Sequence, residues 1–221
     1  MGIIAAIATP VLFSGLSRLQ NDEKEFQQLF LRFEKIVGLM IIPMGVGIYI
    51  FRDFVTTLIL GDQWTEASGF IGLWALMSAL AIVLAHFSSE VYRAKGQPKL
   101  SVLAQMLHII VLWPVVLYFV REGFESLYVA RSLVRLELIV VQLCIMRIAL
   151  KMPVGKMITN ILPICLAALG MLLVLLLPTP EGIIMNILYI MIASLIYFFI
   201  ILLFREERKT LLHLPYLIKN K

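Results

Sequence analysis

Seven long apolar stretches, separated by more polar intervals, dominate the chain. They cover residues 2–16, 36–51, 69–87, 100–120, 128–146, 158–177 and 183–204. A helix that crosses the hydrocarbon core of a bilayer needs roughly 20 mainly apolar residues, and most of these stretches are close to that length. The pattern therefore predicts an all-α fold, a polytopic bundle of about seven transmembrane helices that forms a single membrane domain over residues 1–221.

The polar interval before the second stretch carries a helix signal of its own. Asp22 followed by Glu25 fits a capping box, which marks the start of a helix. Apolar side chains then recur at helical spacing, at Phe26, Leu29, Phe30, Phe33 and Val37. We expect an amphipathic helix on the membrane surface that leads into the second span, either as a connector or as a partner-binding site.

The composition excludes the common soluble classes. The chain is 61% hydrophobic and 15% charged, with a mean hydropathy of +0.97, whereas soluble domains are about 45–50% apolar and about 25% charged. A soluble enzyme, a secreted domain and a nucleic-acid-binding domain are therefore poor fits, despite the net charge of +5. The expected partner is the lipid bilayer. Cys144 and Cys165 both lie inside apolar stretches, so no disulfide framework and no metal cluster are expected.

The distribution of basic residues predicts the orientation in the membrane. The intervals 17–35, 88–99, 147–157 and 205–221 hold fifteen Lys and Arg residues, and the alternate intervals hold two. Because cytoplasmic loops are the ones enriched in Lys and Arg, the first set is predicted to face the cytoplasm. The C-terminus then lies on the cytoplasmic side of the inner membrane, and the N-terminus lies outside.

The beginning of the chain fits this topology poorly. The first stretch has about 15 residues, and no basic residue precedes it. A cleavable signal peptide needs such a basic region, so none is predicted. We expect that the chain is the C-terminal part of a longer protein.

The fifth stretch holds the most informative charges, Arg131, Arg135 and Glu137. A charge at the centre of the membrane costs roughly 2.5–3.5 kcal/mol, so the deeper ones should face protein or water. At about 100° per residue, Tyr128, Arg135 and Gln142 all lie within about 60° of Arg131. Glu137 lies about 120° away from Arg131, and we expect its partner on another helix.

Two interpretations of this polar stripe remain open. In the first, Tyr128, Arg131, Arg135 and Gln142 line a cavity and bind an anionic diphosphate head group, because a guanidinium donates paired hydrogen bonds and keeps its charge. In the second, the span is shifted to about residues 133–150, and the charged side chains reach the membrane interface.

Other polar or flexible positions within the stretches also allow two interpretations. His108, near the middle of the fourth stretch, suits either a proton relay or a hydrogen bond between helices. Pro43, Gly45 and Gly47 in the second stretch suit either a hinge for alternating access or close helix packing. The sequence has no phosphate-binding loop and no nucleophile beside a base, so neither a cofactor nor an enzymatic reaction is expected.

Three short segments resemble a known family. They are residues 9–20, which contain Leu12-Phe13 and Leu16-Ser17-Arg18; residues 58–64, with Gly61 three positions before Trp64; and the turn at residues 93–98. Together they are similar to motifs of the polysaccharide transporters, the lipid-linked oligosaccharide flippases of the multidrug, oligosaccharidyl-lipid and polysaccharide exporter superfamily. Ser14 departs from the pattern, because the family usually has proline there.

This resemblance implies a two-lobe flippase with both termini in the cytoplasm. The chain would correspond to most of the C-terminal lobe, and the N-terminal lobe would be absent. The implied substrate is a polyprenyl-diphosphate-linked oligosaccharide, moved across the cytoplasmic membrane for cell-surface polysaccharide synthesis, with polysaccharide assembly proteins as further partners. A membrane-embedded enzyme acting on polyprenyl-linked sugars and a truncated, non-transporting remnant are the alternatives.

Overall fold

The computed structural model describes residues 2–180, 182–204 and 208. The described part is helical and contains no strand, which confirms the all-α prediction. The helices are α1 (Gly2–Arg18), α2 (Glu23–Ile50), α3 (Arg52–Leu60), α4 (Ser68–Ala81), α5 (Ser88–Ala94), α6 (Lys99–Phe119), α7 (Phe124–Leu150), α8 (Val154–Gly170) and α9 (Gly182–Leu203). Two 3₁₀ segments, Asp62–Ala67 and Met171–Leu176, and a π-helical turn, Ile82–His86, extend α4 and α8.

Five continuous helical segments of the described chain are long and apolar enough to cross a membrane: Glu23–Ile50, Asp62–Ala94, Lys99–Phe119, Val154–Leu176 and Gly182–Leu203. The other two predicted spans are also helical. However, α1 has only 17 residues, and α7 carries several charges along its 27 residues. The multi-pass membrane fold is therefore confirmed, and the count of seven spans stays a prediction.

Helix α2 begins where the sequence predicts a helix start. Asp22 is the N-cap residue, and its side chain accepts a hydrogen bond of 3.0 Å from the Glu25 backbone amide. The amphipathic segment and the second span form one continuous helix of 28 residues, and Pro43 lies inside it without ending it. The buried side chains of Phe26 and Phe30 show that the apolar face of this first part packs into the bundle.

The helices form a series of neighbours in the order α6, α7, α4, α2, α8 and α9. Helix α2 is central, because it packs against both α4 and α8, and α1 contacts both α2 and α5. This order places α7, which carries the polar stripe, between α6 on one side and α4 on the other.

Small residues allow α2 and α4 to approach closely. A Cβ atom added at Gly45 would overlap the Cβ of Ala79 and would lie 3.1 Å from the backbone oxygen of Ala75. Small residues at helix interfaces are typical of membrane proteins, where close packing of backbones drives association. This contact favours the packing interpretation of Gly45 over the hinge interpretation.

Candidate functional site

Arg131 and Arg135 lie on the side of α7 that faces α4, and both side chains are partly buried. Their spacing of four residues places them one above the other on the helix surface. Both guanidinium groups lie over the indole ring of Trp74 in α4, and the distances from Cζ to the ring centroid are 5.1 Å for Arg131 and 3.7 Å for Arg135. The two arginines therefore share one aromatic partner.

No carboxylate balances these two charges within the described residues. The salt bridges found there involve other side chains, and the Nε atom of Arg135 is buried without a hydrogen-bond partner. A cation over an indole face gains about 0.5–2 kcal/mol, but the ring does not neutralise the charge. The pair is thus an uncompensated positive centre in this part of the bundle.

Tyr128 lies near the same end of the α4–α7 interface, in an aromatic cluster. Its ring is 6.2 Å from that of Phe70 and 5.4 Å from that of Phe124, measured between centroids. Gly69 makes room for it, because a Cβ at that position would lie 2.6 Å from the Tyr128 hydroxyl. The structure thus brings Tyr128 together with the two arginines along α4.

Gln142 lies on the same face of α7 but has a different neighbour. Its side-chain oxygen accepts a hydrogen bond of 2.7 Å from the hydroxyl of Tyr92 in α5, and both residues are buried. Seven residues of helix separate Gln142 from Arg135, an axial distance of about 10 Å. Within the described structure, Gln142 connects α7 to α5 and stands apart from the arginine pair.

Glu137 and His108 contact each other across the α6–α7 interface. The distance between His108 Nδ1 and a Glu137 carboxylate oxygen is 2.8 Å, and the His108 side chain is 9% exposed. Glu137 therefore has its partner on another helix, on the side of α7 away from α4. The contact is the interhelical hydrogen bond that one interpretation of His108 predicts, and it fixes α6 at the edge of the bundle.

Two cavities among the described residues lie away from the arginine pair. The larger has a volume of about 720 Å³. Its lining includes apolar side chains of α2, α3 and α9, together with the polar residues Asp53, Thr57 and Asn186. The smaller, of about 440 Å³, lies at the α7–α8 connection beside Arg147 and Lys151. No group of three or more His, Cys, Asp or Glu side chains that could hold a metal occurs in the part of the chain described.

Sequence reasoning missed Trp74 as a member of the site. A tryptophan within an apolar stretch is compatible with a lipid-facing, an interfacial or a buried position, so its residue type alone gives no signal. The available signal was indirect. The two arginines have no acidic residue at helical spacing on their own face, so they require partners on another helix. An aromatic ring is a partner that an apolar span can supply.

Fold and site together define a class, a multi-pass α-helical membrane protein with a pair of partly buried arginines between two of its helices. Residues 1–69 match the family model described as polysaccharide biosynthesis protein. An uncharacterized membrane protein in the cps region of Klebsiella pneumoniae is 31% identical to the chain over 117 residues, which are 52% of this chain and 24% of that protein. No solved structure matches the chain.

These findings confirm the resemblance to the polysaccharide transporter family. Two of the three motifs that carry it, residues 9–20 and 58–64, lie inside the segment that the family model matches. The chain spans about a quarter of the length of the Klebsiella pneumoniae relative. The comparisons therefore support a membrane protein of polysaccharide synthesis.

Proposed function

We propose that the chain is part of a flippase that moves lipid-linked oligosaccharide or polysaccharide precursors across the cytoplasmic membrane. The observation that carries the proposal is the arginine pair, because Arg131 and Arg135 have no acidic partner in the described structure. A polyprenyl-diphosphate head group supplies the missing negative charge. The family match and the relative from a cps region support a role in polysaccharide synthesis, in which such a precursor is used.

The arginine side chain is well suited to binding a diphosphate. The guanidinium is planar, stays charged, and donates two parallel hydrogen bonds to phosphate oxygens. Two such groups on one helix face offer donors to both phosphates of one head group. In this proposal the arginine pair binds the charged diphosphate. The prenyl chain stays in the bilayer beside the apolar remainder of the bundle and does not pass through a polar path.

The working transporter in this proposal has a second helical lobe opposite the arginine pair. The two-lobe architecture of the family supplies such a lobe, and the short share of the relative that the chain covers agrees with it. Rocking of two lobes about a binding site near the middle of the membrane would expose the head group first to one side and then to the other.

A test of the function follows lipid-linked precursors in cells that lack the gene for this chain. A flippase defect leaves precursor synthesis intact, so completed lipid-linked oligosaccharide accumulates in the cytoplasmic membrane while surface polysaccharide is lost. Both are restored by the wild-type gene. If instead the precursor is missing or shortened, the protein is an enzyme of its synthesis. Unchanged precursor and surface polysaccharide indicate a non-transporting remnant, and either result contradicts the proposal.

The proposed orientation is tested by cysteine labelling in the inner membrane of intact cells. In a variant with Cys144 and Cys165 replaced, cysteines at Asp62 and Gly123 are expected to react with a membrane-impermeant maleimide applied from outside. A cysteine at Gln97 is expected to react only after the cells are permeabilised, because its loop is predicted to be cytoplasmic together with the C-terminus. Reaction of residue 97 from outside, with 62 and 123 protected, would invert the topology.

A further inference from the structure

Trp74 is the residue that both arginines contact, although the functional proposal needs only the arginines. The Arg135 Cζ atom lies 3.7 Å from the centre of its ring, and the Arg131 Cζ atom lies 5.1 Å away. The ring itself is held by α4 and by its neighbour Phe70, at 5.5 Å between centroids. One indole on one helix therefore contacts two cations on another.

The short distance fixes how the Arg135 guanidinium lies on the ring. A guanidinium standing on edge at 3.7 Å would push a nitrogen into the ring, so the group must lie nearly flat on it. Its N–H donors point outward within its own plane, and stacking therefore leaves them available. The buried Arg135 Nε atom, which has no acceptor among the described residues, is consistent with this.

An aromatic partner differs from a carboxylate partner in what it leaves for a ligand. A carboxylate would accept hydrogen bonds from the guanidinium and cancel its charge. An indole face attracts the cation through its quadrupole, fixes the plane of the group, and leaves both its charge and its donors unused. Such a partner holds a cation in place while keeping it ready to bind an anion.

From this geometry, and resting on the proposed function, we infer that Trp74 is the positioning residue of the anion site. Its indole orients Arg131 and Arg135 so that both guanidiniums present free donors to one diphosphate group. Removing the aromatic face leaves two mutually repelling side chains that adopt many rotamers, and ordering them on binding then costs affinity.

The test measures binding of farnesyl diphosphate to the purified full-length chain in lipid nanodiscs, with farnesol as the uncharged control. Trp74→Leu is expected to raise the Kd roughly 30-fold, because ordering two freed arginine side chains on binding costs affinity to about that extent. Trp74→Phe is expected to lie between Trp74→Leu and the wild type, since phenylalanine keeps a weaker aromatic face. Trp113→Leu, at an exposed tryptophan of α6, serves as the matched control and keeps the wild-type Kd.

Thermal unfolding of each variant separates positioning from folding. The inference is supported when Trp74→Phe and Trp74→Leu unfold at similar temperatures but differ in Kd in the stated order. It is overturned if both bind like the wild type while Arg135→Ala binds weakly, a result that leaves the anion site intact. Equal weakening of binding by Trp74→Phe and Trp74→Leu also overturns it, because the lost affinity then reflects the changed shape of the side chain and not the loss of the aromatic face. If Arg135→Ala and both Trp74 variants all bind like the wild type, the proposed site itself is wrong.

Discussion

Replacing both Arg131 and Arg135 with alanine is expected to reduce export of surface polysaccharide roughly 100-fold or more. A hydrogen bond to a charged group contributes about 1.5–3 kcal/mol, and each 1.4 kcal/mol is a factor of ten, so losing even two such bonds has this effect. The measurement is the amount of polysaccharide on cells whose own copy of the gene is replaced by the variant, normalised to the abundance of the protein in the membrane.

Two further substitutions make this prediction specific. Arg135→Lys keeps the positive charge but loses the planar pair of donors, and it is expected to retain only part of the export. Arg147→Gln removes a cation from the opposite end of α7, at an exposed position, and it is expected to export normally. Normal export by the double alanine variant, at wild-type abundance, would remove the arginine pair from the functional site.

Gly45→Val is expected to destabilise the fold strongly, and much more than Gly47→Val. The new side chain would overlap Ala79 and press on the backbone of Ala75, so α2 and α4 would have to separate. Overpacking of a close interface costs about 1–3 kcal/mol, and more where a backbone cannot shift. Since Trp74 also lies on α4, the displacement is expected to disturb the arginine pair. Thermal unfolding of the purified chain in detergent measures the loss.

Gly47→Val is the matched control for this substitution. It places the same side chain on the same helix, but a Cβ there meets only the flexible end of Met171, at 3.6 Å. Its unfolding temperature is expected to stay close to that of the wild type. If Gly45→Val were as stable as Gly47→Val, then α2 and α4 would not pack through these small residues.

The main features of the fold follow from the sequence because hydrophobic length and cap residues are local signals. Asp22 marks the start of α2 in the sequence and in the structure. The π-helical turn Ile82–His86 was not predicted, because one extra residue per turn leaves the hydropathy of the segment unchanged. The amphipathic segment that was expected to lead into the second span continues into it as one helix, α2.

The candidate site was predictable only in part. Helical periodicity predicts which residues share one face of a helix, but it does not predict which helix packs against that face. The angles place Tyr128, Arg131 and Arg135 together, and all three lie along α4 in the structure. Gln142 shares the face but lies about two turns further along, where α5 is the neighbour and Tyr92 binds it. Which helices lie beside α7 depends on packing across the whole bundle, and no local pattern encodes it.

The decisive measurement is binding of farnesyl diphosphate to the purified chain in nanodiscs, because it reports anion binding by the arginine pair without requiring transport. We expect saturable binding by the wild-type chain, competition by inorganic pyrophosphate, and loss of binding when Arg131 and Arg135 are both alanine. Binding that is equally strong in the double variant, or no binding by the wild-type chain, would contradict this expectation.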